Sequence, residues 1–207
     1  AIVDSGIKKW VSLRQSGILY PGIFKSFGPT AYHVPIAGVL EWATIEDSGR
    51  LLANVCEDDI PDEFWCRFYN ISSGEQYRLS NYEFEQIIIG GIGLGSPEKV
   101  FEPQWFATRN FHGMWYTDAD ELEKYCHFRE NLPLDKYIAR MKKQLPWFYS
   151  FARIVPPALV KPFLKPAAYE ERLGTQWWVE HNREALDVYY GSMEKYLAIK
   201  SWKQMLP

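Results

Sequence analysis

From Lys136 to Ala168 the chain runs thirty-three residues without an Asp or Glu. Along that span stand Lys136, Arg140, Lys142, Lys143, Arg153, Lys161 and Lys165, interleaved with Trp147, Phe148, Tyr149, Phe151 and Phe163. Taking these seven cations from the net charge of −3 leaves −10 on the other 174 residues. A cationic, aromatic belt on an acidic body points to a surface that meets something anionic. The same span limits what the chain can fold into. Pro146 ends or kinks any helix before it, and Pro156, Pro157, Pro162 and Pro166 are expected to chop the next segment into short turns.

The remaining composition is that of an ordinary globular protein, with 47% hydrophobic and 24% charged residues over 207 positions. That length suits a single domain, 1–207, able to bury a core without disulfides or metals. Most of the nine Trp, thirteen Tyr and twelve Phe are expected in that core. Cys56, Cys66 and Cys126 are scattered and odd in number, with no Cys-x-x-Cys pair, so they read as free thiols in a reducing intracellular compartment. Asn70-Ile71-Ser72 matches the glycosylation pattern but reads as an unmodified turn. No apolar run approaches the roughly 18 to 20 residues of a spanning helix. The start, Ala1-Ile2-Val3 without Met, reads as a processed or trimmed form.

Local patterns divide the domain into three stretches. Residues 1–30 read as an entry helix over Ser5 to Leu13 followed by a loop. Residues 31–95 carry strand signals: 39–45 and 50–56 flank the polar turn Glu46-Asp47-Ser48-Gly49, and 64–71 and 76–79 flank Ser72-Ser73-Gly74-Glu75. Glu85 to Ile89 reads as another buried strand or a helix end. Residues 96–207 hold an aromatic loop and helices: one from Asp118 to Glu130 with a capping-box-like start at Thr117, one with Leu134, Ile138, Met141 and Leu145 on its inner stripe, and a last one from Gly174 to Tyr196. Strands first and helices after give an α+β class, an N-terminal antiparallel meander of hairpins packed against three or more C-terminal helices.

No motif carries chemistry by itself. Gly90-Gly91-Ile92-Gly93-Leu94-Gly95 invites a phosphate reading, but a dinucleotide fingerprint needs Gly at position 96, which is Ser, and a Walker loop needs Lys after Gly95. Glu123, His127 and Glu130, with Asp120 nearby, form the sharpest metal set, yet no second helix offers a matching group. Cys126 and His127 are adjacent and point about 100° apart on a helix, so they form no dyad. No catalytic residue, cofactor or metal is therefore assigned.

The function this implies is that of a non-enzymatic accessory or scaffolding subunit. It would dock on protein partners in a larger complex, or at an anionic membrane surface, through Lys136, Arg140, Lys142, Lys143, Trp147, Phe148, Arg153, Lys161 and Lys165. Nucleic acid fits poorly, since no recognised motif is present and the pI is near 5.9. The alternative is an enzyme or small-ligand-binding protein with a pocket between sheet and helices, lined by Trp105, Phe106, His112, Trp115 and Tyr116.

Overall fold

The computed structural model describes residues 1–25, 27–57, 59–110 and 115–206. Its strands are β1 (Val11–Gln15), β2 (Gly17–Leu19), β3 (Val39–Thr44), β4 (Arg67–Ile71) and β5 (Arg78–Ser80). Its helices are α1 (Thr30–His33), α2 (Ile45–Asn54), α3 (Asn81–Gly91), α4 (Pro97–Val100), α5 (Ala119–Cys126), α6 (Leu134–Lys143), α7 (Pro157–Ala168), α8 (Thr175–His181), α9 (Arg183–Tyr189) and α10 (Met193–Ala198). The class is mixed α+β with small sheets. The chain folds as two compact units: Ala1–Tyr20, Leu40–Arg78 and Met114–Tyr137 form the first, and Pro21–Val39, Leu79–Gly113 and Ile138–Pro207 the second.

In the first unit β1 runs parallel to β4, with Val11 opposite Arg67 and Gln15 opposite Ile71. Strand β2 runs parallel to β3, with Gly17 opposite Trp42. Side chains of Val11 and Leu13, two apart on β1, join a core of Ala43, Leu51, Phe64, Tyr69, Ile71, Leu122, Cys126 and Phe128. Helix α5 thereby covers β4 through Leu122 and Cys126. Two buried carboxylates here are satisfied by neighbouring donors. Asp47 accepts from the Ser73 hydroxyl at 2.6 Å, the Arg50 guanidinium at 2.8 Å and the Glu130 amide at 2.9 Å. Glu41, fully buried, accepts from Ser72 Oγ, from Arg78 Nε at 2.9 Å and from the Tyr116 amide at 3.0 Å.

In the second unit α3 opens with a complete capping box between Ser80 and Glu83. Tyr32, Ile36, Ile89, Val100, Phe101, Trp105, Phe106 and Ala168 form its main core. A smaller cluster of Leu186, Tyr190 and Ile199 gathers α9 and the segment after α10.

Several sequence expectations are corrected. The antiparallel meander of hairpins over 31–95 is not found among the described residues: β4 pairs in parallel with β1 and β3 in parallel with β2, both from the first twenty residues, while β5 lies on the other side of β3. Residues 45–54 are a helix rather than a returning strand, because Thr44 accepts the Asp47 amide as an N-cap and Glu46 and Asp47 fill a helix first turn. What looked like the turn at Ser48-Gly49 lies inside that helix. The second hairpin is also missing, since 75–77 forms a 3-10 turn before β5. The entry helix over Ser5 to Leu13 is replaced by β1, where the apolar period is two.

Helix α5 stops at Cys126, four residues short of the expected end, with His127 in the left-handed region at φ 43°. The expected final helix is three helices, broken where Asn182 and Ser192 cap α9 and α10 with their side chains. Conversely, 157–168 is one helix despite Pro162 and Pro166. Val160, Leu164, Ala167 and Ala168 seat one face of it in the core, and that burial outweighs the lost hydrogen bonds.

Candidate docking surface

The acid-free span begins on α6, whose stripe behaves as its sequence predicts: Ile138 and Met141 are buried. Lys142 and Lys143 are exposed in the last turn, where the helix dipole favours cations. Beyond Pro146 the chain coils into a 3-10 helix, Trp147–Ile154, that turns its apolar side chains outward. Trp147 is 77% exposed and Ile154 72%, with Phe148 and Phe151 each more than half exposed. These rings lie against one another. Trp147 meets Phe151 edge-on at 5.7 Å, and Phe148 stacks on Tyr149 at 5.2 Å.

After Val155 and Pro156, α7 carries apolar residues on two faces. One face enters the core through Val160 and Leu164, while the other presents Leu159 and Phe163, the latter 83% exposed. The helix thus buries one apolar face and leaves a second in water, which makes the second a candidate contact face. The signal was present in the sequence as two i,i+4 pairs, 159/163 and 160/164. Reading the prolines as helix breakers hid it.

Of the nine residues expected to bind, eight belong to the second unit and Lys136 to the first. Lys136 pairs with Asp135 at 3.6 Å, both exposed. Lys161 pairs with Glu102 at 2.5 Å, and Lys165 sits over the Tyr169 ring at 4.9 Å. Arg140 is half-buried. Lys142, Lys143 and Arg153 have no ion-pair partner among the described residues, so they are the cations most available to an outside anion.

Two clefts in the second unit adjoin this segment. One, of about 280 Å³, is lined by Gly91, Gly93, Lys142, Trp147, Tyr149 and Arg153. The other, of about 540 Å³, includes Gln104, Trp105, Lys161, Lys165, Tyr169 and Gln176. Trp105 and Phe106, proposed as pocket lining from the sequence, are buried core residues of the second unit. Trp115 belongs to the first unit, half exposed, with the Arg78 guanidinium 4.7 Å from its ring centroid. His112 lies outside the described residues.

The candidate metal set does not assemble on a helix face, because α5 ends before His127. Glu123 instead accepts the Phe128 and Arg129 amides, each at 2.9 Å, closing the helix end. Asp120 is engaged by Arg129, which lowers its carboxyl pKa. No group of three or more His, Cys, Asp or Glu suited to a metal occurs among the described residues. His33 stacks on Trp178 at 4.5 Å, and its Nε2 lies 2.7 Å from the Leu173 carbonyl. Burial pushes the Cys126 thiol up to about 11, which makes it inert at neutral pH. Asn70 is buried and donates to Asp118 at 2.9 Å, a poor acceptor for a glycan.

Glu85, by contrast, has no hydrogen-bonding partner for one carboxylate oxygen among the described residues. It is 1% exposed, its Oε2 makes no hydrogen bond, and burial pushes its carboxyl up to about 8. No described helix is long and apolar enough to cross a membrane. Comparison with known proteins finds no matching family model and no matching curated relative.

Proposed function

We propose that the chain is a non-catalytic docking subunit that seats residues 147–163 in an anionic membrane interface and there joins a larger assembly. The observation that carries this reading is the outward apolar set Trp147, Phe148, Phe151, Ile154, Leu159 and Phe163 beside Lys142, Lys143 and Arg153, which have no ion-pair partner among the described residues, in a span with no acid. Rings at headgroup depth and cations on anionic lipid are the two halves of interfacial binding. Single exposed apolar residues are unremarkable on any surface, but with Val155 there are seven within seventeen residues, a density of the kind that marks an interaction site.

Co-sedimentation with vesicles tests it. The chain should bind phosphatidylcholine vesicles only when phosphatidylserine is included. Binding should fall as salt rises, because the Debye length shrinks from about 10 Å at 0.1 M to about 3 Å at 1 M. Leu159→Ser combined with Phe163→Ser should abolish binding and leave the melting temperature nearly unchanged, since exposed substitutions alter stability by about 0.5 kcal/mol or less. A parent chain that stays in the supernatant sinks the membrane reading. If it then co-purifies with a fixed protein that the same double variant loses, the surface docks on protein instead.

The 540 Å³ cleft favours a second reading, a site for a small polar ligand held by Lys161, Lys165 and Gln176. Its test is a fragment screen read by ligand-observed NMR, with Lys165→Ala as the control that must lose every hit.

A further inference from the structure

The glycine run fails both phosphate fingerprints by spacing, yet the fold supplies from elsewhere what those motifs would have carried within the loop. The 280 Å³ cleft has the loop of Gly91 and Gly93 on one side and Lys142 and Arg153, from much later in the chain, on the other. Bare glycine backbone leaves room for this approach. A Cβ at Gly91 would lie 3.2 Å from Lys142 Cε and 2.5 Å from Phe24 Cε1. Gly93 holds φ +90°, and a Cβ there would lie 3.2 Å from both the backbone nitrogen and the Cβ of Arg153. Two cationic segments are thus let in against one loop.

Neither cation is neutralised by an acid among the described residues, and no Asp or Glu lines the cleft. Converging like charges with no counter-ion raise the potential inside a concave site. Tyr149 and Trp147 also line the cleft. At 280 Å³ the space sits just under the range of about 300–1,000 Å³ typical of small-molecule pockets, which matches a headgroup-sized ligand.

The geometry points to a binding site for a phosphate monoester in this cleft, with the Arg153 guanidinium as a two-pronged donor and the Lys142 ammonium as a point charge. The charge argument selects the ligand class. A monoester carries about −1.5 to −2 at neutral pH, matching two cations, where a carboxylate or phosphodiester brings only one negative charge. The planar fork of Arg suits two phosphate oxygens at once, and Lys remains free to swing to the third. The ester can belong to a lipid headgroup or to a soluble metabolite. The lipid source rests on the docking proposed above, whereas the site itself does not.

Two measurements separate site from source. In solution, glycerol 3-phosphate titrated into the full chain should bind, and methyl phosphate should compete. Arg153→Gln and Lys142→Gln should each weaken binding about tenfold or more, as expected for hydrogen bonds to charged groups. Arg153→Lys, which keeps the charge and loses the fork, should fall between parent and Arg153→Gln. Lys203→Gln, exposed and outside the cleft, should match the parent.

On vesicles of equal surface charge, phosphatidic acid should be preferred over phosphatidylserine, and Lys142→Gln should erase the preference, so that the variant binds both lipids equally. No saturable glycerol 3-phosphate binding together with no preference for phosphatidic acid overturns the site, even if vesicle binding itself persists. Saturable soluble binding without any lipid preference keeps the site and assigns it to a soluble ester.

Discussion

Glu85 lies in a run, Glu85 to Ile89, that alternation and apolarity mark as buried, and a carboxylate there contradicts the run it begins. The helix resolves the contradiction by keeping the carboxyl protonated. Its folded pKa, about 8, stands well above the ordinary 4.5, and the cause is removal from water. Between these two values the folded chain binds a proton that the unfolded chain has released, so stability falls as pH rises from about 4.5 to about 8 and levels off beyond. Glu85→Gln keeps the shape and removes the charge. Its melting temperature should equal the parent's near pH 5 and exceed it at pH 9 by about 5 °C or more, measured by calorimetry. Equal melting curves at both pH values would show that the carboxylate finds a partner on ionising. Glu41 makes the contrast: with three donors around it, Glu41→Ala should cost about 3–5 kcal/mol by denaturant titration, because it strands Arg78 half-buried.

Among the elements, α6 was legible because its apolar stripe at spacings of four and three leaves no other period open. Helix α2 was not, because Glu46-Asp47-Ser48-Gly49 satisfies two grammars at once. Polar residues ending in Gly make a hairpin turn, and Thr-x-x-Asp makes a helix cap. The cap wins here because the helix it opens seats Leu51 fully buried in the first unit's core. The two grammars make opposite forecasts. In a helix, exposed Gly49, whose Cβ would meet nothing within 4 Å, should accept Ala with a gain of about 0.5–1 kcal/mol. In a turn needing positive φ the same change would destabilise. Thr44→Ala should cost about 1 kcal/mol by loss of the cap. Urea titration of both variants decides between them. The candidate docking surface was half legible for a related reason. Charge and aromatic content marked Trp147 and Phe148, but Leu159 and Phe163 become outward residues only once the prolines are seen to sit inside α7.

At the scale of the whole molecule, the class was readable from the order of strand and helix signals, while the topology was not. Nothing local in Val11–Gln15 names Arg67–Ile71 as its partner, because parallel pairing has no turn of its own to announce it. The pairing makes a direct forecast. Removing residues 1–19 takes away β1 and β2; it should abolish protection from hydrogen exchange over 67–71, where β4 loses its sheet partner, and reduce it over 40–44, where β3 keeps β5. Retained protection there would mean that the two strands hold without the N-terminal segment.

Each compact unit is assembled from three separate stretches, so the backbone passes from one to the other five times. Synthesis on the ribosome therefore cannot finish the first unit before Tyr137 emerges, nor the second before Pro207. Strand β1 waits unpaired until Arg67–Ile71 has been made, and no single proteolytic cut or exon-like excision can release either unit whole.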